Sequence, residues 1–262
     1  FAVGARQTPS GLTDQKESNA SRTRVDFYME QLTGYLARLG QMVRYVVADG
    51  YYAKIKVFDA VRQSDHHLIT KLRSDANLRY FYTGPQREGP GRPKTCDGKV
   101  CFEDLSRFDY AGRHDDKPHV GVYTKKLNSA HFGRDFRVVV LVDTAAKSYV
   151  VLASTDCDLA AQKIVQFYRL RFQIELIFRD AKQFAGLTHC QARSREKLVF
   201  HLNMSLAAIN LARLRISRSE EAMSITNCVR RAYNRWLVGH LLSRLGLRAR
   251  FGLNHPRVRQ VI

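Results

Sequence analysis

The sequence predicts an α/β fold that is interrupted by a β-rich segment and closed by a basic helical region. Three observations carry this. Short β-branched runs alternate with helix-length amphipathic stretches over the first 76 residues, the pattern of an α/β unit with parallel strands. A Gly/Pro-punctuated stretch and three strand-like runs joined by turns follow. From Ala160 onward every segment has helical character, and the last fifty-odd residues carry many arginines against few acids.

Residues 1–8 are consistent with a short strand that leads into a polar loop, Pro9 to Ser21. The spacing of Val25, Tyr28, Met29, Leu32, Leu36 and Leu39 predicts a helix from about Arg24 to Leu39, capped by Ser21 or Thr23. Val43 to Ala48 reads as a strand ending in Asp49-Gly50, where Gly50 lets the chain turn sharply. A helix over about Ala53 to Arg62 and a strand over Leu68 to Leu72 follow. Gly84 to Lys94 is a basic loop. His119 to Lys126, Asp135 to Val142 and Ser148 to Ser154 form a predicted meander. Leu198 to Leu214 reads as a buried helix rather than a membrane span, since polar residues interrupt it and no run of about 18 apolar residues exists. The expected division is 1–76, 77–157, 158–215 and 216–262.

The formal charge is +19 and the sequence pI is near 10.0. A field of that sign favours a polyanion, and the excess of arginines over Glu220 and Glu221 in the last segment (Arg213 to Arg259) suits DNA phosphates. Five scattered cysteines without a CxxC pair argue for a reducing compartment, and Cys96 and Cys101 with His114 and His119 fit no common zinc spacing.

The most informative segment is Gln166 to Lys182. On one continuous helix, Tyr168, Arg171, Glu175 and Lys182 project from one face, and Ile164, Phe167, Leu170, Ile174, Ile177, Phe178 and Ala181 form an apolar stripe that docks it. An acid flanked by Tyr, Arg and Lys can hold a divalent metal while the other groups grip a phosphodiester. Arg171 and Glu175 also have the spacing of an ordinary solvated i,i+4 pair. Asp49, at the end of an apolar strand, can gather a ligand there or merely cap the next helix.

Tyr-x2-Arg-x3-Glu-x6-Lys matches the signature of the insertion-sequence-four group of bacterial DDE transposases. Val46-Val-Ala-Asp-Gly-Tyr-Tyr52, Gly89-Pro-Gly-Arg-Pro-Lys94, Thr188 to Lys197 and Phe200 to Leu206 also resemble stretches of that family. The resemblance implies a ribonuclease H-like core with 77–157 as its β-rich insertion. It further implies Asp49 and Glu175 as catalytic, metal-holding residues of a two-metal Mg²⁺ (or Mn²⁺) site, and Tyr168, Arg171 and Lys182 as DNA contacts. The expected activity is metal-dependent cleavage and strand transfer on double-stranded DNA. The expected setting is a homodimeric synaptic complex in the bacterial cytoplasm, associated with the nucleoid and not with a membrane.

The first carboxylate of such a site has no counterpart among Asp14, Glu17, Asp26 and Glu30. Phe1 to Pro9 resembles sequence that follows the first catalytic strand, so an N-terminally truncated chain is the expectation. Asp143 reads as the opening of a turn rather than a substitute. The alternative function is a truncated, inactive derivative that binds DNA or full-length transposase. A basic RNA-associated protein is a further class, in which Asp49 and Glu175 would lie far apart.

Overall fold

The computed structural model describes residues 1–13, 22–86, 89, 91–219, 222–247 and 255–256. Asp14, Glu17, Ser21, Glu220, Glu221, Arg248, Arg250, Arg257 and Arg259, together with Arg87, Glu88 and Pro90 of the basic loop, lie outside the described residues. The chain forms two compact units, Thr8–Phe172 and a second made of Phe1–Gln7 with Gln173–Ile262.

The first unit is built on one mixed sheet. Helix α1 (Arg24–Leu39) opens it with a capping box. The Thr23 hydroxyl accepts the Asp26 backbone N–H, and the Asp26 carboxylate accepts that of Thr23. Strand β1 (Tyr45–Ala48), helix α2 (Ile55–Gln63) and strand β2 (His67–Leu72) follow, and β1 pairs with β2 in parallel. Beyond them lie β3 (Arg79–Phe81), β4 (Cys96–Lys99), β5 (Asp109–His114), β6 (Lys117–Ser129), β7 (Arg134–Asp143) and β8 (Ser148–Ser154). Strand order is β1-β2-β8-β7-β6-β3-β4, with β5 on β6.

The predicted meander is therefore β6-β7-β8, and β8 returns to pair antiparallel with β2, so all eight strands share one sheet. Strands β3, β4 and β5 were not expected. They are short, and Gly98 and Gly112 break the alternation that would have marked two of them. Asp143 does open the β7–β8 turn, where its Oδ1 accepts the N–H groups of Ala145 and Ala146.

Alternation along the strands sends neighbours to opposite faces. Leu68, Val138, Val140, Val151 and Ala153 pack with Val25 and Met29 of α1 and Val57, Phe58 and Val61 of α2. Ile69, Val139 and Leu152 instead pack with Ala161, Ile164 and Val165 of helix α3 (Ala161–Leu170). The result is a sheet with helices on both faces, which explains the nearly unbroken Val/Leu/Ile runs of its central strands.

The second unit holds α4 (Phe172–Phe184), α5 (Arg195–Ser217) and α6 (Ile225–Arg244). Helix α4 ends in a left-handed Gly186, at φ +63°, which lets the Leu187 N–H reach back to the Ala181 carbonyl. Ser194 and Ser224 cap α5 and α6. Its core is Ile177 and Ala181 of α4 with Leu206 and Ile209 of α5.

Two expectations are corrected here. Residues 1–8 are not a strand, because the backbone groups of Ala2 and Ala5 bond to asparagine side chains of α5 instead of a neighbouring strand. Leu198 to Leu214 is helical but only partly buried: Phe200, Met204 and Leu211 face solvent. No helix among the described residues is long and apolar enough to cross a membrane.

Candidate active site

Asp49 follows the last residue of β1, at the carboxyl end of the parallel pair. Its Oδ1 accepts the Tyr51 N–H at 2.9 Å and caps a single 3₁₀ turn, Gly50–Tyr52. Its backbone carbonyl accepts the buried Thr70 hydroxyl at 2.8 Å, which fixes the strand end against β2. The carboxylate is exposed, so capping and ligand binding are compatible at this residue. Gly50 does not adopt a left-handed conformation, and its tight spot is steric. A Cβ there would sit 3.3 Å from the Lys71 carbonyl oxygen of β2.

Three tyrosines crowd this strand end. Tyr28 of α1 stacks edge-on with Tyr51 at 6.2 Å and lies 6.1 Å from Tyr52, while Lys54 sits 3.9 Å above the Tyr51 ring. Burial raises the Tyr52 phenol above its ordinary range, and the neighbouring Tyr28 and Asp49 push it the same way. Sequence reasoning missed Tyr28, Lys54 and Thr70 as neighbours of Asp49; only the Tyr51-Tyr52 pair after Asp49-Gly50 signalled them.

Tyr168 and Arg171, both half-buried, lie in the same unit as Asp49. Burial raises the Tyr168 phenol, the Arg171 cation opposes this, and the Asp49 carboxylate pushes it further up.

The signature segment is not one continuous helix. Its hydrogen bonding is interrupted at Arg171, whose N–H closes α3 on the Tyr168 carbonyl at 3.1 Å, an i→i−3 bond. Four residues on one face of a single helix is therefore corrected to two pairs. Tyr168 and Arg171 end α3, whereas Glu175 and Lys182 lie two turns apart on α4. The apolar stripe divides likewise. Ile164 and Phe167 join the sheet core, Ile177 and Ala181 join the helical core, and Leu170 and Ile174, near the break, are 57% and 51% exposed.

On α4 the exposed Glu175 occupies the first turn and the exposed Lys182 the last, each complementing the helix dipole. Sequence reasoning passed over Asp180, which is buried on the same helix. Its Oδ1 accepts Arg179 and its Oδ2 accepts Arg213 of α5 at 3.0 Å. Arg213, expected among the DNA-facing cations, ties α5 to α4.

Asp156 is the other buried acid among the described residues. Burial pushes its carboxyl up, but the Tyr45 hydroxyl at 2.7 Å, the Asp158 N–H and nearby cations outweigh this and hold it below the ordinary range. Both oxygens are occupied, and Tyr45 begins the strand that Asp49 terminates, so Asp156 serves the fold. Among the described residues no group of three or more His, Cys, Asp or Glu is arranged to hold a metal ion.

No curated protein matches the chain significantly. A sequence model of the family described as "Transposase DDE domain" matches residues 12–211, which spans Asp49, Tyr168, Arg171, Glu175 and Lys182 and well over half of the chain. A mixed α/β sheet with an acid at the carboxyl end of a parallel strand accords with that match, and the chain belongs to the transposase DDE domain family.

Proposed function

We propose that the protein is a transposase of the insertion-sequence-four group that cleaves DNA at transposon ends and joins the freed 3′-hydroxyl to target DNA. The observation that carries this reading is the family match over residues 12–211, with Asp49 placed at the carboxyl end of β1. A ribonuclease H-like core, with residues 77–157 as an insertion and 216–262 as a basic tail, is part of the same proposal.

Asp49 and Glu175 are exposed carboxylates, and hard oxygen donors of this kind suit Mg²⁺ or Mn²⁺. These two residues would hold the metal, with a further carboxylate needed for a two-metal site. When bound, the metal supplies charge stabilisation to the attacking and leaving oxygens of a phosphodiester. Arg171 offers a planar fork to a phosphate and Lys182 a point charge, while the Tyr168 hydroxyl donates to a phosphate oxygen or packs beside a base. The excess of cations attracts DNA independently of sequence, and synapsis of two transposon ends calls for two copies of the chain.

The test is nicking of a plasmid that carries the element's ends, in Mg²⁺ or Mn²⁺, by the wild-type chain and by Asp49→Asn and Glu175→Gln. Each substitution is expected to lower the rate at least about 100-fold, since ligands matter no less than their outer-shell partners. Equal rates in wild type and variants would overturn the site assignment. Binding of DNA without metal-dependent nicking would instead point to the inactive, DNA-binding derivative.

A further inference from the structure

Phe1–Gln7 follow a defined path along α5 without regular secondary structure of their own. The Ala2 N–H donates to Asn210 Oδ1 at 2.8 Å, and Asn210 Nδ2 donates to the Ala2 carbonyl at 2.6 Å. Ala5 repeats the arrangement with Asn203, at 2.9 Å and 2.8 Å. Arg195 continues the series toward the N-terminal end of α5, where its Nη2 donates to the Gln7 carbonyl at 3.4 Å.

The spacing is commensurate. Seven helical residues rise about 10.5 Å and return to nearly the same face. Three residues of extended chain span roughly 10–11 Å. One asparagine every seven residues of α5 therefore meets every third residue of an extended segment running antiparallel to it. Each amide satisfies both backbone groups of one residue, as a neighbouring strand would, so the segment can lie on an apolar surface without orphaned polar groups. Asparagine is a poor helix former, and α5 places two of them within its run.

The side chains follow the same logic. Ala2 and Ala5 turn toward Ile177 and Ala181 of α4 and Leu206 and Ile209 of α5. Phe1 and Val3 point outward, 73% and 61% exposed. The site thus reads backbone, with a size limit at two positions three residues apart.

We propose that Asn203 and Asn210 form a backbone-reading clamp for an extended polypeptide segment, that Phe1–Gln7 is its occupant, and that the loaded clamp positions α4. The clamp stands on its own. Its consequence for catalysis, holding the helix that carries Glu175, rests on the function proposed above and makes Asn203 and Asn210 positioning residues.

Residue-resolved hydrogen exchange on the full chain tests this without DNA or metal, so its outcome is separable from the transposase reading. The Ala2 and Ala5 amides are expected to exchange at least about 100-fold more slowly than in a free peptide. Asn203→Asp and Asn210→Asp replace the donor with a carboxylate that repels a carbonyl, and Ala5→Pro removes the segment's own N–H while leaving α5 untouched. All three are expected to return the segment to near free-peptide exchange. They should also speed exchange of the Ile177 to Phe184 amides about 10-fold, with the far-UV helical signal kept. Val3→Ser should change nothing, because the clamp reads backbone. If the Asp variants fail to fold, Ala5→Pro decides the question. Free-peptide exchange at Ala2 and Ala5 in the wild-type chain would overturn the clamp. Release of the segment with α4 exchange unchanged would overturn the positioning role.

Discussion

The sheet unit and the helical unit hold their acids in place by different means. In the sheet unit apolar packing on both faces of eight strands fixes the end of β1, and Asp49 inherits its position from that frame. The helical unit buries only a small apolar cluster, leaves Tyr233, Trp236 and Leu241 of α6 and Leu245 just after it exposed, and relies on polar ties. Those ties are the Asp180–Arg213 pair and the asparagine contacts to Phe1–Gln7. The comparison teaches that the two named acids should respond to different kinds of damage, Asp49 to lost packing and Glu175 to lost polar contacts.

Three substitutions break or sharpen that contrast. Phe136→Ala empties a fully buried site where Phe136 meets Phe58 at 5.1 Å and Phe132 at 5.8 Å. A cost of about 4 kcal/mol is expected in chemical denaturation of the sheet unit. A loss confined to the helices would contradict the comparison.

Asp180→Ala comes next. It leaves Arg213, 23% exposed, without its carboxylate, and removing one member of a buried pair costs about 3 kcal/mol. Faster hydrogen exchange should appear in α4 and α5. Unchanged exchange there would show that apolar contacts alone hold α4.

The smallest effect is expected at the α1 cap. Thr23→Ala should cost about 1 kcal/mol. The Lys56 ammonium and the Thr23 groups hold the Asp26 carboxyl well below the usual carboxylate range. With its folded pKa depressed, Asp26 contributes stability that is present above the unfolded value of about 4 and is lost as pH falls through the folded one. Acid titration of thermal stability should therefore show the Thr23→Ala deficit at neutral pH and its shrinkage below about pH 4. A deficit that does not shrink at low pH would assign the effect to the neutral bond between the Thr23 hydroxyl and the Asp26 N–H rather than to the Asp26 charge.

Much of the frame was legible from residues alone. The heptad-like apolar spacing marked α1, the β-branched runs marked β1, β2 and β6 to β8, and the Asp after β1 was correctly placed at a strand end. Strands β3 to β5 escaped because β3 spans only three residues and β4 and β5 each contain a glycine, so they carry almost no period-2 signal. The helix break at Arg171 escaped for a related reason. No Pro or Gly marks it, and a 100° periodicity continues through it on paper. Exposure of Leu170 and Ile174 on either side is the only trace it leaves, and exposure is not visible in a sequence.

Sequence by itself determined the local matters: most of the stretches that form helices and strands, the strong positive charge, and membership of the transposase DDE domain family. These depend on side-chain periodicity, turn chemistry and composition, all of which act over a few residues. Only the tertiary structure decided that β8 returns to β2 to make one sheet, that Asp180 lies buried against Arg213, and that Asn203 and Asn210 take up the backbone of residues two hundred positions away. Those contacts join residues remote in the chain, and a polar residue shows no sign in the sequence of whether its partner will be water or a distant carbonyl.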